Sequence, residues 1–258
     1  MSKAETPMHE MTFLEHLQEL RVRLTRAVII LAAGFALMYF FRFHLWKLAS
    51  RPFTEVFLKR ATELNLVQTD PFAFTSATEP FFSLMRLAFW ASIFVTAPLL
   101  FYQVWAFIRP GLYDRERKWA IPFLLATSGC FIGGALFAYR YAFQIMADIL
   151  LQEALRAGLR ANLAMTDYLD LFIYTLVGTG LSFELPVLVY FLARFRVITA
   201  KWMLRFWKHA TLVIVVASAF LTPGDVVVTT LFFSGVLMAL YWVSVLVAWA
   251  AAPRVTPS

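Results

Sequence analysis

Residues 87–139 read LAFWASIFVTAPLLFYQVWAFI (Leu87–Ile108), RPGLYDRERK (Arg109–Lys118) and WAIPFLLATSGCFIGGALFAY (Trp119–Tyr139). The two outer runs carry no formally charged residue, and each is long enough to cross a bilayer, which takes roughly 20 apolar residues. The turn between them therefore lies at a membrane surface. Within it, the carboxylate of Glu116 is embedded among Arg115, Arg117 and Lys118. An anionic point on a basic membrane face suits a positively charged ligand.

The rest of the chain extends this pattern. Hydrophobic residues make up 61% and charged residues 15% of the 258, with a mean hydropathy of +0.70. Soluble domains run at about 25% charged, so a water-soluble fold is excluded. Ala27–Phe41, Leu171–Ala193, His209–Gly224 and Val226–Pro253 are also poor in charge. Helices satisfy their own backbone in lipid, and the alternating strands of a membrane barrel are absent. We expect one all-α membrane domain over residues 1–258, with spanning helices near 22–43, 81–108, 119–141, 168–193, 208–222 and 226–250 and a long loop over 44–80. The fifth and sixth helices are allowed to fall short of a full bilayer.

In that loop Pro52, Pro71 and Pro80 read as breaks, Thr54–Leu64 as a short surface helix, and Phe53, Phe57, Phe72 and Phe74 as anchors over the bundle. Residues 140–167 read as a helix prolonged past the membrane, then a turn near Gly158. Loop cations set orientation. Lys and Arg total 14 on the face holding both termini and the 109–118 turn, against eight in the longer loops opposite. Both termini are expected in the cytoplasm. The net charge of +7 reflects this topology; the cations are not gathered on a soluble module, so nucleic-acid binding is not expected. Nor is a cleavable signal peptide. The single Cys130 sits in an apolar helix as a small hydrophobe.

Catalytic patterns are missing. There is no H-E-x-x-H or Walker A motif, and Gly180-Leu181-Ser182-Phe183-Glu184 fails the G-x-S-x-G pattern at its last position. No enzyme activity, cofactor or metal is expected. Glu184 is an ionisable group in a membrane helix, a costly placement that points to a partner or a wet cavity; Pro186 should kink the helix beside it. It either meets another subunit's helix or locks two helices of this chain. A proton-coupled small-molecule transporter using Glu184 is the alternative reading. Near the amino terminus, Glu19 and Arg23 are spaced i, i+4 on one helix face. From spacing alone two readings of Glu19 and Glu116 stand: the favoured one, neutralisers of neighbouring arginines, and the other, carboxylates that meet a positively charged ligand. Gly129 and Gly133 have the G-x-x-x-G spacing of close helix packing. Thr222-Pro223-Gly224-Asp225 is a tight turn.

Five stretches, in order and in register, resemble the TatC family, the multispanning receptor of twin-arginine protein translocation: FLEHLQELRVRL (13–24), TEPFFSLMRLAF (78–89), FYQVWAFIRPGLYDRERK (101–118), LSFELPV (181–187) and LTPGDV (221–226). The resemblance implies a six-helix, concave, cup-like protein of the bacterial cytoplasmic membrane. Its cargo would be folded proteins with twin-arginine signal peptides, its partners single-span TatA and TatB proteins and further copies in a multi-subunit complex, and its energy source the proton-motive force. It implies signal-peptide binding by Glu19 and Glu116, with Phe107 and Arg21 in the same motifs. Glu184 falls on an intramembrane polar position that meets partner helices; Phe220, Leu221 and Thr222 fall where a partner's helix docks. Two guanidiniums in tandem suit two carboxylates, each met through a planar fork. The chain departs from the family pattern at Arg140, Gln144 and Gly224.

Overall fold

The computed structural model describes residues 13–63, 71–108, 120–158, 162–195, 197–221 and 227–251. Helix α1 (Phe13–Phe40) joins the amino-terminal amphipathic segment and the first span in one rod, starting at Phe13 rather than near residue 22. α2 is Arg42–Glu63, α3 Glu79–Ile108 and α4 Ala120–Phe137. A π-helical turn, Ala138–Ala142, carries α4 into α5 (Phe143–Arg156). α6 (Met165–Phe183) and α7 (Leu185–Arg194) make the fourth span, α8 is Ala200–Arg205, α9 Trp207–Leu221 and α10 Val227–Ala251. Among the described residues, five helical runs are long and apolar enough to span a bilayer, and Trp207–Phe220 adds a shorter apolar helix. The architecture is a six-span, all-α membrane fold, as the composition requires.

Of the two helices allowed to be short, only α9 is. Its 15 residues rise about 22 Å, against a hydrocarbon core of ~30 Å. The 25 residues of α10 are ample.

Small residues set the helix spacing. A Cβ on Gly34 of α1 would lie 2.6 Å from Thr96 of α3, and one on Gly134 of α4 would lie 2.8 Å from Phe183 of α6. Gly180 approaches Phe131 in the same α4–α6 seam. The close contact thus uses Gly134 and Gly180. Gly129 and Gly133, the expected G-x-x-x-G pair, have nothing within 4 Å of a built Cβ. The spacing motif identifies a small-residue strip but not which side of the helix is met.

Pro52 does not break the segment after α1. α2 runs through it from Arg42 to Glu63, so the helix is twice the length of the expected Thr54–Leu64 piece. A proline inside a helix leaves the carbonyl four residues earlier without its N–H donor. Here that is Leu48, and the Tyr139 hydroxyl donates to the Leu48 carbonyl oxygen at 3.0 Å. The donor comes from 91 residues away, so local sequence cannot reveal the compensation. Phe53 and Phe57 are buried beneath α2, but Phe74 is exposed.

The end of the bundle around α2, α5 and the start of α6 is a dense aromatic core. Trp46, Phe53, Phe72, Phe143, Tyr168 and Phe172 meet mainly edge-to-face, with centroids 4.9–6.0 Å apart. Polar bolts surround it. Arg60 meets Asp148 through two 2.8 Å bonds, and Gln152 donates to the same carboxylate at 2.8 Å. Arg86 pairs with Asp170, and the Tyr168 hydroxyl donates to the Ala49 carbonyl. Glu79 accepts from the Thr166 backbone N–H at 2.9 Å and from both the backbone and hydroxyl of Thr75. It thereby caps the positive end of α6 and pins Thr75 in the turn that precedes α3. Phe72 and Ala73 pair in parallel with Leu163 and Ala164.

Candidate functional site

The opposite end of the bundle is where α1 begins and α3 ends. His16 on α1 stacks on Phe107 near the end of α3, with centroids 4.5 Å apart and planes 22° apart. One turn further along α1, Glu19 is largely shielded. Its Oε1 accepts from Nη2 of Arg23 at 3.3 Å, the i, i+4 partner expected from spacing. Oε2 of Glu19 and Nε of Arg23 are buried and have no hydrogen-bond partner among the described residues. Strong guanidinium–carboxylate pairs are bidentate and about 2.7–2.9 Å long. This one is single and long, and it leaves acceptor and donor capacity on both sides. Arg21 is exposed and, two residues on from Glu19, points to a different side of the helix.

Glu116 lies outside the described residues, as does Thr222. Glu19 and Phe107, far apart in sequence, share one end of the bundle through His16. His16 carries no motif of its own in the sequence. The signal was its place three residues before Glu19, in the motif EHLQELR.

Glu184 is elsewhere. It caps the end of α6 at the break before α7, where Pro186 follows in the first turn. Only 6% of it is accessible, and its Oε1 has no hydrogen-bond partner among the described residues. Ser182 donates to the Gly178 carbonyl at 2.7 Å, an ordinary helix back-bond, so the hydrolase-like pattern is helix and not an elbow. At the far end of α9, Phe220 is 87% exposed. With Leu212, Val213 and Val216, also exposed, it forms an outward apolar stripe at helical spacing. Leu221 is the last residue of that helix. No trio of His, Cys, Asp or Glu side chains among the described residues is placed to hold a metal ion.

The model of the family described as "Sec-independent protein translocase protein (TatC)" matches residues 15–234. This chain is a member of the TatC family. A TatC protein of Koribacter versatilis (strain Ellin345) is 34% identical over 244 residues, covering 95% of this chain and 87% of the relative. A TatC protein of Helicobacter pylori (strain J99) is 35% identical, over 90% of this chain and 87% of its own length. The fold agrees. The solved structure described as "Twin Arginine Translocase Receptor- TatC" superposes with a TM-score of 0.78 at 28% identity, covering 92% of this chain and 99% of its own.

TatC membership makes the chain a component of a protein translocase, a multi-pass membrane protein and not an enzyme. It removes the ground from the solute-transporter reading, which rested on Glu184 alone. It also places Glu19 and Phe107, at one end of the bundle, and Glu184, near its middle, on a fold common to the family.

Proposed function

We propose that this chain is the signal-peptide receptor of a twin-arginine translocase, with both termini in the cytoplasm of a bacterial cell. Glu19 and Glu116 receive the two arginines of the signal peptide, and Phe107, stacked under His16, floors the site. Arg21 lies beside it on the exposed side of α1. The observation that carries this reading is the half-used carboxylate of Glu19: one oxygen on a long bond to Arg23, the other buried and unpartnered among the described residues. A buried carboxylate oxygen without a donor is costly. An incoming guanidinium brings two parallel donors and repays that cost, which Lys cannot do with the same geometry.

Glu184 meets the transmembrane helix of a TatA- or TatB-type partner through Oε1, which has no partner among the described residues. Phe220, Leu221 and Thr222 dock a partner helix beside the short α9, where the bilayer thins to match. Further copies of the chain join the complex, and the proton-motive force drives transport. Site-specific crosslinking from positions 16, 19 and 107 to a synthetic twin-arginine peptide tests the site. Strong adducts that vanish when the peptide's arginines become lysines are expected. Equal labelling by both peptides, or normal export after Glu19→Arg and Glu116→Arg together, would refute it.

A further inference from the structure

At the end of the bundle away from Glu19, an apolar cavity of about 500 Å³ opens between α1, α2, α3, α4 and α6. Its walls include Met38, Leu48, Trp90, Phe94, Leu136 and Phe172. That volume falls in the roughly 300–1,000 Å³ range of ligand sites. Leu87 and Val95 both line it, so it runs about 12 Å along α3. Leu48, Val95 and Leu136 are each more than half exposed, so the cavity opens sideways at membrane depth rather than into water.

Its upper rim is charged. Tyr139 lines the cavity and bonds Leu48, closing the top between α2 and α4. Arg51, Glu55 and Arg140 are charged neighbours of Tyr139. Arg51 lies one turn beyond Leu48 on α2, and Arg140 lies one turn beyond Leu136 on the α4 rod, so each continues the face that lines the cavity. Arg51 is paired with Glu55 at 2.7 Å. Arg140 is exposed and has no ion-pair partner among the described residues. The rim therefore carries one net positive charge above an apolar slot.

We propose that this cavity seats an acyl chain of an anionic phospholipid from the surrounding bilayer, its phosphate held at Arg140 and Arg51. An arginine at the interface end of a span can bury its stem and present its fork to a phosphate. An apolar partner helix would gain nothing from the cations, and a zwitterionic lipid cancels them within its own headgroup. The site lies apart from Glu19 and does not rest on the cargo reading.

The test is native mass spectrometry of the full chain released from vesicles of equal phosphatidylglycerol and phosphatidylcholine. The wild type should retain phosphatidylglycerol about tenfold over phosphatidylcholine, the scale of one charge-assisted contact. Arg140→Leu should bring the ratio near parity and Arg140→Lys should keep part of it. Ala135→Phe, which fills the slot, should remove retained lipid of both kinds. Ala91→Phe on the facing wall repeats that arm if Ala135→Phe misfolds. Equal retention by the wild type, an unchanged ratio in Arg140→Leu, or lipid retained after both fillings overturns the assignment. So do lipid-poor dimers, which would put a second copy in the slot.

Discussion

The two ends of the bundle treat their polar groups differently. Around α2, α5 and the start of α6, Arg60, Asp148, Gln152, Glu79, Tyr139 and Tyr168 all have partners on other elements or on neighbouring turns. From the middle of the membrane toward the Glu19 end, Glu19, Arg23, Gln103, Trp105, Ser128, Thr179 and Glu184 each keep a buried atom without a partner among the described residues. Buried polar groups are usually satisfied, so the contrast separates a finished scaffold from a surface left open for something outside the chain. The bolts tie the first end together within the chain, while Glu19 and Glu184 each keep one buried carboxylate oxygen without a partner among the described residues.

That contrast can be broken from either side. The largest effect is expected in the scaffold. Phe143 is fully buried in the aromatic core, and Phe143→Ala should lower stability by about 3–5 kcal/mol. The readout is thermal unfolding in lipid nanodiscs, and affinity for a twin-arginine peptide in the folded fraction should be unchanged. Next is Glu19→Gln. It should leave the melting temperature within error but weaken peptide binding roughly 30-fold, the size of a lost charge-assisted pair at about 2 kcal/mol; titration calorimetry would measure it. If Glu19→Gln instead destabilised the fold as Phe143→Ala does, the two ends would not be distinct.

Smaller changes sharpen the comparison. Tyr139→Phe leaves the Leu48 carbonyl without a donor and should cost about 1–2 kcal/mol. Ser128→Ala removes a buried hydroxyl that has no partner among the described residues. It should move the unfolding midpoint by less than the equivalent of ~0.5 kcal/mol, in either direction. A loss of comparable size from both would mean that Ser128 is satisfied after all and the open end is not open.

The spans were legible because charge spacing is a one-dimensional property. The 109–118 turn and its uncharged flanks define two helices with no knowledge of what they touch. What sequence could not carry was pairing at a distance. Pro52 reads as a break because its compensating donor, Tyr139, is on another helix. Gly129 and Gly133 have the right spacing but the wrong face, and facing is set by the neighbour, not by the interval. Phe74 resembles Phe53 and Phe57 in composition but projects away from the core. At the candidate site, Glu19 and Phe107 were identifiable through motifs. Their meeting through His16 was not, because stacking across α1 and α3 needs both helix rotations. Arg140 stood out in the sequence only as a departure; the cavity beneath it gives that departure a setting.

The bond between Tyr139 and Leu48 has a consequence for how substitutions combine. Pro52→Ala returns an N–H to α2, which can then satisfy Leu48 from within the helix. In that background Tyr139→Phe should be nearly harmless, so a double-mutant cycle should give a coupling of about 1 kcal/mol between positions 52 and 139. Positions 52 and 139 are thereby tied in one direction through Leu48: loss of the Tyr139 hydroxyl is tolerated once Pro52 has changed, whereas Pro52 can change first.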